Sequence, residues 1–193
     1  MIRWLAVAVM WLALAGSGRA ETAPRVPTLT RGINLTNWFR FPPSRDPAML
    51  SEYLGDPALE DLRGVGFDFV RLAVDPAIVA TMAQRRVLVA AIHRIQGHGL
   101  SVVVSPHPQD WHLETTPEAI RIFWQTLAPA LRDLDQARTL PEVLNEPVFA
   151  GDPAGWAMQQ HVVLGDIRRA LPRATIVLTG QDWGSFGVNG LNL

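Results

Sequence analysis

The feature that most constrains this chain is a repeated switch between two hydrophobic periods. Short apolar runs, "GINL" (32–35), "FDFVRLAV" (67–74), "LSVVVS" (100–105), "EVLNE" (142–146) and "TIVLT" (175–179), read as strands. Between them lie longer segments with apolar residues at three- and four-residue spacing, the period of an amphipathic helix. These are "VATMAQRRVLVAAIHRIQGHG", "TTPEAIRIFWQTLAPALRDL" and "DPAGWAMQQHVVLGDIRRALP", with a shorter helix expected around Pro57 to Arg63. Their ends carry the expected punctuation. Gly97 and Gly99 close the first, Thr116-Pro117-Glu118 opens the second, and Asp152-Pro153 and Pro172 bracket the third. Strands apolar on both faces and joined by helices form a parallel sheet covered by helices.

Two architectures accommodate such a sheet: a doubly wound open sheet or a (β/α)8 TIM barrel. A nucleotide-binding open sheet usually follows its first strand with a glycine-rich phosphate loop. Here the first strand runs into "TNWFRFPP", which has no glycine. The strand–helix units recur at about 35–40 residues, a spacing that suits a barrel. The α/β reading is therefore a TIM barrel truncated after about five strands, with residues 21–193 as the N-terminal part of the barrel domain.

Composition narrows the function further. The net charge of −1 comes without basic or acidic blocks, so no electrostatic footprint for nucleic acid exists. Every cationic side chain is Arg, and Cys is absent, which removes disulfides, thiolate metal sites and cysteine nucleophiles. His93, His98, His112 and His161 make no metal-ligand spacing, so neither a metal nor a cofactor is expected. At the N-terminus, Arg3, the apolar "WLAVAVMWLALAG" and Gly18-Arg19-Ala20 read as a signal peptide over residues 1–20. The apolar core is short against the roughly 20 residues of a spanning helix. A secreted or periplasmic protein, free of the membrane after cleavage, is the expectation.

In a barrel, chemistry sits at the C-terminal ends of the strands. Those ends deliver Asn37 and Trp38, then Arg71 and Asp75, then His107, Asp110 and Trp111, then Asn145 and Glu146, and last Gln181, Asp182 and Trp183. Polar and aromatic groups on one rim suit a sugar, which offers many hydroxyls and flat apolar faces. Each residue also has a plainer reading. Arg71 could pair with Asp75, His107 between Pro106 and Pro108 could serve a rigid turn, and Trp38 and Trp183 could be rim packing. Trp124 and Trp156 lie in helical patterns and are expected to pack. The sequon Asn34-Leu35-Thr36 lies inside the first strand, where glycosylation is not expected.

The runs "RGINLTNWF", "GFDFVRLAV", "LSVVVSPHP", "EVLNEPVF" and "TIVLTGQDWGS" resemble the first five strands of glycoside hydrolase family 5, the cellulase-like barrels, from about Arg31 onward. The resemblance implies that Glu146 is the general acid/base and that Asn145 contacts the sugar 2-hydroxyl. It further implies that Arg71 supports the nucleophile and His107 lines the sugar subsite, with Asn37, Trp38 and Trp183 as further substrate contacts. The family's nucleophile is a Glu on strand seven, with a His/Tyr pair near strand six and a Trp on strand eight. None of these is present, and Asp75, Asp110 and Asp182 do not stand at that position. The expected activity is a retaining glycosidase acting on β-linked polysaccharide, most readily a β-1,4-glucan, monomeric at full length. The 193 residues by themselves are expected to be inactive, since they carry one carboxylate of the pair. A β-mannanase is the alternative within the family, and a non-catalytic exported sugar-binding protein is the alternative outside it.

Overall fold

Four parallel strands lie side by side in the order in which the chain makes them, β1 (Gly32–Phe39), β2 (Phe69–Val74), β3 (Ser101–Pro106) and β4 (Thr139–Pro141). This computed structural model describes residues 29–108, 117–148 and 153–181. The expected signal segment, Asp110, Trp111, His112, Asp182 and Trp183 lie outside the described residues. Sequential order is the barrel pattern, because a doubly wound sheet must reverse direction at a switch point. Right-handed crossovers in one direction place every connecting helix on the same face of the sheet.

Those helices are α1 (Pro47–Glu52) and α2 (Asp56–Gly64) after β1, and α3 (Pro76–Ala80) and α4 (Met82–Gly97) after β2. After β3 come α5 (Pro117–Leu127) and a 3-10 turn, Ala128–Leu131, and after β4 comes α6 (Pro153–Ala170). The expected helix near Pro57 is α2, and α1 has no counterpart in the sequence reading. Asp46 starts α1 by accepting from the amides of Ala48 and Met49. Gly99, at φ +78°, reverses the chain after α4, where the Leu100 amide reaches the Ile95 carbonyl.

The register divides each strand into two faces. Strand β2 aligns Arg71 with Asn34 on β1 and with Val103 on β3, and Val103 aligns with Leu140 on β4. With a side-chain period of two, Asn34, Arg71, Ala73, Val103, Ser105 and Leu140 share the face away from the helices. The opposite face carries Val70, Leu72, Val74, Val102 and Val104, which join Leu88, Ile92, Ile95, Phe123, Trp124 and Leu127 in one core. Val103, Ala73 and Leu140 are also buried but stand apart from that core, as the alternation requires.

Two expected strands are displaced. The fourth was expected over 142–146, but regular pairing covers Thr139–Pro141 and then gives way to single bonds. The Glu142 amide donates to the Val104 carbonyl (2.9 Å) and the Asn145 amide to the Pro106 carbonyl (3.1 Å). Beyond Asn145 the chain leaves the sheet, where Glu146 takes a left-handed backbone and Pro147 has no amide to donate. The fifth run contributes one parallel bridge, Glu142 with Val177, closed by Val143 and Val177 amides at 3.0 and 2.7 Å. On the other side, β1 pairs β2 through an irregularity in which Leu35 to Phe39 spans the same stretch as Leu72 to Val74. Such a bulge re-aims the side chains inside it.

Candidate active site

Arg71 is the centre of the polar face. Its Nε and Nη2 donate to Oε2 and Oε1 of Glu142, both at 2.6 Å, in a two-pronged pair. Nη2 also donates to Ser105 Oγ at 2.9 Å and to Asn145 Oδ1 at 2.8 Å, while Nη1 donates to Asn34 Oδ1 at 3.2 Å. Four side chains from three backbone segments, β1, β3 and the stretch after β4, thus converge on one guanidinium. Glu142 is 3 % exposed, so its charge is viable only because this cation and these bonds compensate it. The plainer expectation, that Arg71 pairs with Asp75, does not hold. Asp75 caps α3 by accepting from the Ala77 amide (2.9 Å) and pairs with Arg45 at 2.5 Å.

His107 follows β3 directly, and its amide is held by the Val74 carbonyl at 2.8 Å. The ring is 3 % exposed, and among the described residues neither nitrogen has a hydrogen-bond partner. Burial, reinforced by the charges of Arg71 and Arg40, lowers its pKa from 6.5 to about 3. The ring is therefore neutral above that pH, with one donor and one acceptor available to a ligand. Turn rigidity alone does not require a buried polar ring with no partner among the described residues.

Glu146 is exposed and is the single non-glycine residue with positive φ (+45°) among the described residues. Left-handed backbone costs an L-residue about 1–2 kcal/mol, and a residue before proline is normally extended. The surroundings hold it there. Trp124 donates its indole N–H to the Val143 carbonyl (2.9 Å), the Thr179 hydroxyl donates to the Leu144 carbonyl (2.8 Å), and Asn145 is tied at both backbone and side chain. Trp156 anchors the neighbouring segment by donating to the Thr179 carbonyl at 2.8 Å. Both helical Trp residues are core residues, as their spacing indicated.

The structure thus brings Arg71, Asn145 and His107 together at the C-terminal end of the sheet, with Glu146 next in the chain. Asn37 is exposed on β1 and lines an open pocket of about 260 Å³ with Asn34, Tyr53 and Leu54. Trp38 borders the same pocket, but most of its surface is taken up by packing. It is 1 % exposed, stacks on Phe39 at 4.9 Å, and donates its indole N–H to the Leu50 carbonyl at 2.8 Å. The indole packs toward α1 while still bordering the pocket that Asn37 lines. Sequence reasoning missed Glu142, Ser105 and Asn34 as partners of Arg71. Their signal was a shared strand face, visible only once the register is known. Among the described residues, no group of His, Asp and Glu side chains is arranged to hold a metal.

A family model described as "Cellulase (glycosyl hydrolase family 5)" matches residues 30–192. No curated protein matches. Among solved structures, an endoglucanase from the hyperthermophilic Thermotoga maritima is 24% identical with a TM-score of 0.69, over 81% of this chain and 53% of its own. A hyperthermophilic endo-β-1,4-glucanase in complex with substrate is 20% identical with a TM-score of 0.66, over 80% and 52%. The catalytic domain of a mannanase from Streptomyces sp. SirexAA-E is 21% identical with a TM-score of 0.59, over 81% and 47%. The chain spans about half the length of the solved structures it matches.

Proposed function

This chain belongs to the cellulase family, glycosyl hydrolase family 5, and on that premise we propose that it forms part of an exported retaining β-glycosidase that cleaves β-1,4-glucan. The observation that carries the reading is the tether on Asn145. Arg71 holds its amide oxygen one residue before a strained, exposed carboxylate, Glu146. In this reading Glu146 protonates the glycosidic oxygen as the bond to the anomeric carbon breaks. A second carboxylate attacks that carbon, and Glu146 then takes a proton from the water that releases the sugar. Asp75 is committed to the α3 N-cap and to Arg45, and neither it nor Glu142 stands where the family carries its nucleophile. Asn145 offers its amide N–H groups to the sugar 2-hydroxyl, His107 lines the subsite, and Arg71 orients the ensemble. Export rests on the N-terminal apolar segment, and among the described residues no helix is long and apolar enough to cross a membrane.

The neighbouring structures include complexes with cellobiose and with mannotriose, so β-mannan is the second substrate to test. The two sugars differ in the orientation of the 2-hydroxyl, the group assigned to Asn145. The decisive experiment uses the full-length protein and its Glu146→Gln variant. Loss of general acid help should cut polysaccharide hydrolysis by about 10²–10⁴-fold. Aryl glycosides with good leaving groups should keep most of their first-step rate, since such groups need little protonation. Unchanged polysaccharide hydrolysis in the variant would remove Glu146 from the acid role. Sugar binding without turnover by the wild-type protein would instead favour a non-catalytic binding protein.

A further inference from the structure

We propose that Glu142 is a positioning residue that sets the orientation of the Asn145 amide by locking the Arg71 guanidinium. This rests on the reading of Asn145 as the contact for the sugar 2-hydroxyl. Arg71 Nη2 carries two hydrogens and faces three acceptors, Glu142 Oε1, Ser105 Oγ and Asn145 Oδ1. Its geometry is therefore shared, and the partner that fixes the plane of the fork is the one bound twice. That partner is Glu142, through Nε and Nη2 at 2.6 Å each. Arg71 keeps a side-chain exposure of 26%, whereas Glu142 keeps 4%. The carboxylate is the fixed member and the cation the one that could swing outward.

The consequence for Asn145 follows from hydrogen-bond polarity. A guanidinium only donates, so it accepts the amide oxygen as partner and repels the amide nitrogen. With Oδ1 bound to Arg71, the two N–H donors of Nδ2 lie on the other branch of the planar amide. A sugar hydroxyl oxygen is an acceptor they can serve. Releasing the guanidinium removes the reason for the amide to hold that face outward. Glu142 acts here through the geometry of the fork. It touches no substrate atom, and its influence runs entirely through the other two side chains.

The test uses Glu142→Gln and Glu142→Asp in the full-length protein, with paired aryl β-glycosides that carry or lack the 2-hydroxyl. The amide of Glu142→Gln sets N–H against N–H at the fork, while Glu142→Asp keeps the charge. On the 2-hydroxy substrate, Glu142→Gln should lower kcat by roughly 10–100-fold, the scale for partners acting through another side chain, with KM moving less. On the 2-deoxy substrate the loss should be several times smaller, and Glu142→Asp should recover part of it. Equal losses on the two substrates would reduce Glu142 to a structural role, and no loss on either would overturn the proposal outright. Should Glu142→Gln fail to fold, the same split between substrates is read in Glu142→Asp. If the wild-type protein cleaves neither substrate, the proposed function falls, and crystal structures of the variants decide this proposal instead. An unchanged bond from Arg71 to Asn145 Oδ1 in both variants would refute it, and a rotated amide or displaced guanidinium would support it.

Discussion

Glu146 combines an acidic side chain with a backbone that its own Cβ disfavours. Strain of this kind persists where the surroundings over-determine the conformation, and it concentrates at working sites. The carbonyl and amide tethers on Val143, Leu144 and Asn145 supply the restraint. Glycine occupies left-handed backbone without the Cβ clash, at an entropic cost of about 0.5–1 kcal/mol. Glu146→Gly should therefore match or exceed the stability of Glu146→Gln, by up to about 1 kcal/mol, although both lose the acid. Urea denaturation of the two variants measures the difference. A Glu146→Gly variant clearly less stable than Glu146→Gln would show that the backbone there is unstrained.

At the scale of elements, helices α5 and α6 are joined by one buried carboxylate. Asp166, 5 % exposed on α6, accepts from Arg121 Nε at 3.0 Å and Gln125 Nε2 at 3.2 Å on α5, and pairs with Arg169 on its own helix. The pair raises the Arg121 pKa, chiefly through the hydrogen bond from its guanidinium to Asp166. Replacing Asp166 with Ala leaves these donors without their shared acceptor. A loss of about 1–3 kcal/mol is expected, the range for leaving a buried donor without its acceptor. Chemical denaturation of Asp166→Ala would read it, and a change below about 0.5 kcal/mol, the scale of ordinary surface substitutions, would mean the helices are joined by apolar packing alone. On β1, a Cβ at Gly32 would meet the Phe69 ring at 2.1 Å, so that ring would have to move aside for any larger residue.

For the molecule as a whole, the buried ring of His107 ties folding to pH. Above pH 6.5 the ring is neutral in both folded and unfolded chains. Between 6.5 and about 3 the unfolded chain binds a proton that the folded chain refuses. Stability should therefore fall on acidification through that window, with one proton contributing a slope of about 1.4 kcal/mol per pH unit. His107→Gln should remove that part of the slope, as read from unfolding free energies measured between pH 4 and 7. Identical slopes in the two proteins would mean the ring is solvated and titrates normally. Asp68, held low chiefly by the Thr30 hydroxyl, and Asp135, held low chiefly by Arg138, add their losses only below about pH 4.

The sequence by itself determined the α/β class, the parallel sheet, the barrel order and the family. Each of these follows from local period and short motifs, such as the strand run 67–74, the helical spacing of 79–99 and the Asn145-Glu146-Pro147 triplet. It also singled out Arg71, His107, Asn145 and Glu146, because polar residues at the ends of apolar runs stand out without any coordinates. Only the tertiary structure decided the partners. Arg71 meets Glu142 across 71 residues of chain through the register of β2, β3 and β4, and no local pattern encodes register. The same holds for Trp38, which reads as a rim aromatic and is packed beside Leu50 while still bordering the pocket that Asn37 lines. Period two assigns a side chain to one of two faces, but strand pairing and irregularities in it decide which face is which.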